Sequence, residues 1–280
     1  MRALSLRQPS PMPGFGLSAG ITLTMLSLIV LIPIGALLYN GASIGFGEII
    51  RLVATERVLS ALWLSFRVAF LAALFNLAFG LALAWILVRY DFPGRRLIDA
   101  AVDLPFALPT AVAGIALTTL YAPNGVFGHA IMSLFGLKVA YTQLGIFIAL
   151  VFVSLPFVVR TVQPVIEEID REVEEASATL GAYRLRTFLR VILPMLTPAL
   201  LTGFALALAR SVGEYGSVIF IAGNLPYQTE IAPLLIVIRL EEFDYNGAIA
   251  IALAMMTISF LMLLVINLIQ VISRKRFGNV

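Results

Sequence analysis

Cysteine is missing from this 280-residue chain, histidine occurs once, at His129, and lysine occurs only at Lys138 and Lys275. Without cysteine there is no disulfide, no thiolate metal site and no thiol nucleophile; one histidine excludes a histidine cluster, and His129, expected in a loop rather than in the pore or the cytoplasm, supplies no base for a triad there, so no metal site and no catalytic residue is expected. Lys138 precedes Val139 and Lys275 precedes Arg276. Neither completes the Gly-rich turn followed by Lys-Ser or Lys-Thr that cradles a nucleotide phosphate, so the chain is expected to be no ATPase and no enzyme. Charge is scarce as well. Only 12% of residues are charged and 60% are hydrophobic, which excludes an ordinary soluble domain and puts the membrane class first. The net charge of +3 and pI near 9.4 come without a basic run interleaved with aromatics, so nucleic acid is not an expected partner.

Long apolar runs are what the chain has instead. Leu17 to Tyr39 is free of charge, long enough for a ~30 Å hydrocarbon core and longer than a usual leader core, so it reads as a retained first span. Val68–Val88, Leu104–Ala122, Val139–Val159, Met195–Gly223 and Gly247–Ile272 follow as five more, and no internal repeat is apparent. The expected architecture is an all-α integral membrane protein with six transmembrane helices. Residues 1–16, with three prolines, read as a tail, 17–272 as the membrane domain with its core at about 60–270, and 273–280 as a second tail. Pro105 and Pro109 interrupt the third span. A broken helix in a bilayer needs protein or a cavity to satisfy its freed backbone, so this break is a candidate pore element.

Orientation follows from the positive charges. Arg2 and Arg7, the group Arg89, Arg95 and Arg96, five arginines from Arg160 to Arg190, and Arg274, Lys275 and Arg276 make thirteen on one side; Arg51, Arg57, Lys138 and Arg239 make four on the other. Positive loops stay inside, so both termini and the loop at 160–194 are expected in the cytoplasm.

That loop is the longest polar interruption. Ile166, Ile169, Val173, Ala176 and Leu180 fall on one helical stripe, with acids opposite, Pro164 at the expected first position and Gly181 just past the expected end. A second, short helix with Leu185, Phe188, Leu189 and Ile192 on one face should lead to Pro194.

Within it, Glu175-Ala176-Ser177, three residues, Gly181, nine residues and Val191-Ile192-Leu193-Pro194 resemble the E-A-A-x3-G-x9-I-x-L-P loop of ATP-binding-cassette (ABC) importer permeases. Ser177 stands for the second alanine and Val191 for the isoleucine. The segments RYDFPGRRLIDAAVDLPFALPTAVAG (89–114), LPFVVRTVQPVIEEI (155–169), SVGEYGSVIFIAGNLP (211–226) and RLEEFDY (239–245) are similar to the T-type (CysT-type) subunits of sulfate/thiosulfate importer permeases, over about residues 17–272. The resemblance implies a type I ABC importer permease fold in a bacterial plasma (inner) membrane, multi-pass, with Glu175, Ala176, Ser177, Gly181, Leu193 and Pro194 coupling to an ATPase. It also implies the partners: a homologous W-type permease subunit, two ATP-binding subunits carrying ATP and Mg, and an extracytoplasmic sulfate/thiosulfate-binding protein, with no cofactor in this chain. A molybdate/tungstate permease subunit is the alternative of the same class, and a stand-alone secondary anion transporter the alternative of another.

Charge inside a span is costly and is usually paired or faces water. Arg210 lies four residues before Glu214, one turn apart if the helix continues. Arg210, with Ser211 and Ser217, is the candidate translocation path for an anion, and Glu214 the residue that holds Arg210. Arg67 is expected to reach an interface. The external segment 224–246, with Glu230, Glu241, Glu242 and Asp244 against Arg239, is expected to meet a protein rather than an anion.

Overall fold

The computed structural model describes residues 15–277, with side chains over 16–272; the proline-rich stretch of the expected N-terminal tail and the last three residues lie outside the described residues. Every element among them is helical. Five helices are long and apolar enough to cross a membrane: α1 (Gly16–Ile44), α3 (Glu56–Arg89), α8 (Gln143–Glu168), α10 (Arg184–Val212) and α13 (Tyr245–Phe277). Between them lie the shorter α2 (Phe46–Val53), α4 (Arg95–Val102), α5 (Leu104–Ala107), α6 (Thr110–Tyr121), α7 (Val126–Phe135), α9 (Arg171–Thr179), α11 (Val218–Ile221) and α12 (Ala232–Glu241). The C-terminal tail expected from residue 273 is a helix as far as Phe277.

The expected third span is not one helix. Pro109 lacks an N–H and pushes Leu108 into extended backbone, so Leu104–Ala107 and Thr110–Tyr121 are separate pieces.

The core is the bundle of α3, α8 and α10, with α13 against α10 and α12. Apolar side chains gain little by leaving lipid for each other, so close backbone approach and polar bonds have to supply the fit. Gly80 of α3 and Gly203 of α10 both face Val158 of α8; a Cβ on Gly80 would meet its Cγ1 at 2.9 Å, and one on Gly203 its Cα at 3.1 Å. Asn76, fully buried, donates to the Val151 carbonyl at 3.0 Å and the Ser154 hydroxyl at 2.8 Å. α1 keeps most of its apolar surface outward, as lipid or another chain would require.

Two prolines are treated differently from the sequence expectation. Pro164 does not start a helix; α8 runs through it to Glu168, held by Val162 and Ile166, both fully buried. Burial of those side chains outweighs the bond that proline removes. The expected short helix before Pro194 is the beginning of α10. A wide π turn at Phe188–Ile192 gives the proline ring room, and the helix passes Pro194 and Pro198 without ending. It does stop at Val212, so the expected fifth span, Met195–Gly223, is corrected to 184–212 followed by a loop and α11.

Candidate functional site: the loop at 169–194 and the end of α10

The expected stripe from Ile166 to Leu180 is cut in two. Ile169 is extended backbone (ψ 112°) and its carbonyl is taken by the Arg89 guanidinium at 2.9 Å, so α8 ends there and α9 begins after Asp170. Ile166 and Ile169 are therefore core, whereas none of the side chains of α9 is buried and Leu180 is 88% exposed.

Gly181 closes α9 as the spacing demands. Its φ is +81°, its N–H donates to the Ala178 carbonyl at 2.9 Å, and the Ala182 N–H reaches back to the Ser177 carbonyl at 3.1 Å. This is the Schellman pattern, in which a left-handed residue lets two orphan carbonyls be satisfied, and glycine enters that region without a Cβ clash. Glu175, Ala176 and Gly181 are exposed on the turn, beside exposed Tyr183 and Leu185. Ser177 is half-buried, its hydroxyl 2.8 Å from that of Thr187. Leu193 and Pro194 sit apart from the turn, half-buried in α10. Between α9, the start of α10 and the end of α3 lies an open groove of about 750 Å³, whose lining includes Trp85, Arg89, Glu174 and Phe188.

The second candidate cluster lies where α10 ends. Glu214 is not on the helix but just beyond Gly213, so the expected geometry of one turn on one face is replaced by a folded-back carboxylate. That carboxylate is buried and accepts from the Arg210 guanidinium, from the Ser217 N–H at 2.8 Å and from the Ser217 hydroxyl at 2.9 Å. Arg210, Glu214 and Ser217 are thus one network. Ser211 is not part of it. Among the described residues its buried hydroxyl has no partner, and it lines a small void of about 10 Å³ with Ser65, Ile231 and Glu214.

The Pro109 break reaches this network. A Cβ on Gly216 would lie 2.2 Å from the Thr110 hydroxyl, and one on Gly114 would lie 2.5 Å from the Ser217 carbonyl, so α6 packs on the 213–217 loop at backbone distance. Only glycine permits that approach. The start of a broken helix and a neutralised arginine therefore share one small region.

Two ion-pair sites went unread in the sequence. Glu230 is buried and grips Arg57 in two parallel bonds of 2.7 and 2.8 Å, so it does not belong to the acidic surface expected of segment 224–246. Arg160 of α8 makes five hydrogen bonds of 2.6 to 2.8 Å, one to Gln163 on its own helix and four to Asp99 and Asp103, which fasten α4 to the core. The i, i+4 spacing of Asp99 and Asp103 was the available signal, since it puts both on one face. Nothing local marks Glu230 as the partner of Arg57. Arg67 binds the Gln143 side chain.

Residues 76–279 match the family described as binding-protein-dependent transport system inner membrane component, and the chain belongs to that family. Within it, the chain is 49% identical over 279 residues to the sulfate transport system permease protein CysT of Salmonella typhimurium (strain LT2), covering 100% of this chain and 98% of that one. It is also 49% identical over 268 residues to CysT of Escherichia coli K12, covering 96% and 95%. Its fold is similar to that of a bacterial ABC transporter that imports alginate, with a TM-score of 0.75 at 16% identity over 92% of this chain and 95% of that one. A second alginate transporter structure, in complex with a periplasmic protein carrying an alginate pentasaccharide, gives 0.74 at 19% identity over 95% and 96%.

Proposed function

We propose that this chain is the membrane-spanning permease subunit of an ATP-driven importer of sulfate and thiosulfate. The observation that carries the reading is identity near one half, over essentially the full length, to permeases named for sulfate transport. In this reading α5 and α6 together form the sixth crossing, both termini are cytoplasmic, and the protein lies in a bacterial inner membrane. Its partners are a W-type permease, two ATP-binding subunits that hold ATP and Mg, and an extracytoplasmic binding protein. The exposed turn with Glu175, Ala176, Ser177 and Gly181 docks on an ATP-binding subunit, and Leu193 and Pro194 carry that contact into α10.

Arg210 acts on the anion. A dianion entering low dielectric loses much hydration energy, and a fixed positive charge at an effective dielectric of about 20 returns several kcal/mol of it. Glu214 partly neutralises the arginine, and a weak site releases its ion whereas a strong one traps it. Ser217 holds the carboxylate in place; Ser211, turned into its own void, is left out of the path. The test is complementation: a strain lacking its sulfate permeases should recover growth on sulfate when given this chain with its partners. No recovery, with the chain present in the membrane, would refute the reading.

A further inference from the structure

If α9 is the contact with the ATP-binding subunit, its movement must reach the helices that enclose the path, and no side chain of α9 is fully buried. Its own links are few. At each end it is joined by the chain; Ser177 ties it to Thr187, at the start of α10. The other polar side-chain tie among the described residues runs to α3 and is made by Arg89.

The side chain of Arg89 is 12% exposed. Nη2 donates to the Ile169 carbonyl at 2.9 Å, at the end of α8, and lies 2.9 Å from the Glu174 carboxylate on α9. The approach to Glu174 is off the hydrogen-bonding axis, so that link is Coulombic rather than a directed bond. The guanidinium carbon sits 5.4 Å from the centre of the Trp85 ring, and Trp85 meets Phe188, in the π turn of α10, edge to face at 5.6 Å. One cation therefore joins the ends of α3 and α8 to α9, and through Trp85 to the widened turn of α10. A planar, delocalised guanidinium can stack and donate at once, which the compact ammonium of lysine cannot.

We propose that Arg89 is the positioning residue through which displacement of α9 is transmitted to α3, α8 and α10. The proposal rests on the docking of α9 stated above.

Because the chain has no cysteine, a single one can be placed cleanly. In the full transporter reconstituted with its binding protein, Ala178→Cys, an exposed position on α9, reports docking by cross-linking to the ATP-binding subunit, and radiolabelled sulfate moved per ATP hydrolysed reports transmission. Arg89→Lys and Glu174→Gln should each leave the cross-link unchanged and lower sulfate moved per ATP about tenfold, within the usual span of coupling between sites. A wild-type ratio in Arg89→Lys with the cross-link intact overturns the proposal and leaves the docking standing. Loss of the assembled complex in Glu174→Gln, a side chain 35% exposed, also overturns it, since the contact would then serve folding. Absence of the cross-link when Ala178→Cys is the sole change overturns the docking and the proposal together.

Discussion

Ser177 and Thr187 face each other across the Gly181 turn with their hydroxyl oxygens 2.8 Å apart. Ser177 stands where the resembling motif has its second alanine, so this chain gains a bond that alanine could not make. Without it, the buried Thr187 hydroxyl keeps only a 3.4 Å contact with the Tyr183 carbonyl. Ser177→Ala should loosen the turn by about 1 kcal/mol, the net worth of one hydrogen bond. Hydrogen exchange at Ala182, whose N–H binds the Ser177 carbonyl, should then quicken about fivefold. Unchanged exchange would mean the pair contributes nothing.

Gly181 should tolerate no β-branched residue. A side chain at φ +81° costs about 1–2 kcal/mol even before branching, and it distorts the turn that presents Leu180 and Tyr183. Gly181→Val should insert normally, since the spans are untouched, but should lose ATPase co-purification and sulfate uptake. Normal uptake would remove the docking role from this turn.

At the end of α10 the two charges should behave differently. Arg210→Gln leaves the buried Glu214 carboxylate its two bonds from Ser217, so it should assemble and hydrolyse ATP at the basal rate yet fail to transport sulfate. Glu214→Gln keeps an oxygen for Ser217 and should give a milder defect in uptake. If both variants lose assembled complex equally, the pair is only a structural one, as the cost of an unpaired buried charge would dictate.

The loop and the long helices were largely legible in the sequence, and what escaped it has a physical cause. Glycine spacing marked the end of α9, because a left-handed turn is a local requirement. Where α9 begins is not local: it depends on Arg89 taking the Ile169 carbonyl, eighty residues away in the chain. Pro164 and Pro194 read as a helix start and a helix stop in isolation, yet α8 and α10 run through both. Arg210 and Glu214 were paired correctly from their spacing, but the end of the helix at Val212 was missed, and with it the bonds from Ser217. The Arg57–Glu230 pair joins distant segments and left no pattern for periodicity to find.

That pair supplies a stability prediction. Glu230→Gln takes two charge-assisted bonds from Arg57, whose side chain is 27% exposed, so water recovers part of the loss and the cost should be about 1.5–3 kcal/mol. Glu241→Gln, on an exposed side chain, should stay within about 0.5 kcal/mol. Thermal unfolding of the detergent-solubilised protein should separate the two clearly; similar midpoints would contradict the burial assigned to Glu230.

In the 224–246 segment, external in the proposed orientation, Arg239 is shared between Glu242 at 3.5 Å and Asp244 at 3.2 Å, and among the described residues Glu241 is exposed without such a pair. Photo-cross-linkers at positions 241 and 242 should capture the loaded binding protein on the assembled transporter. Failure at both sites would move that contact elsewhere.

Radiolabelled sulfate uptake into proteoliposomes, reconstituted with this chain, its W-type partner, the ATP-binding subunits and the binding protein, tests the central claim most directly. The account predicts uptake that needs ATP and all components, is competed by thiosulfate and is indifferent to molybdate. Uptake of molybdate in place of sulfate, or sulfate uptake that persists without the ATP-binding subunits, would contradict it.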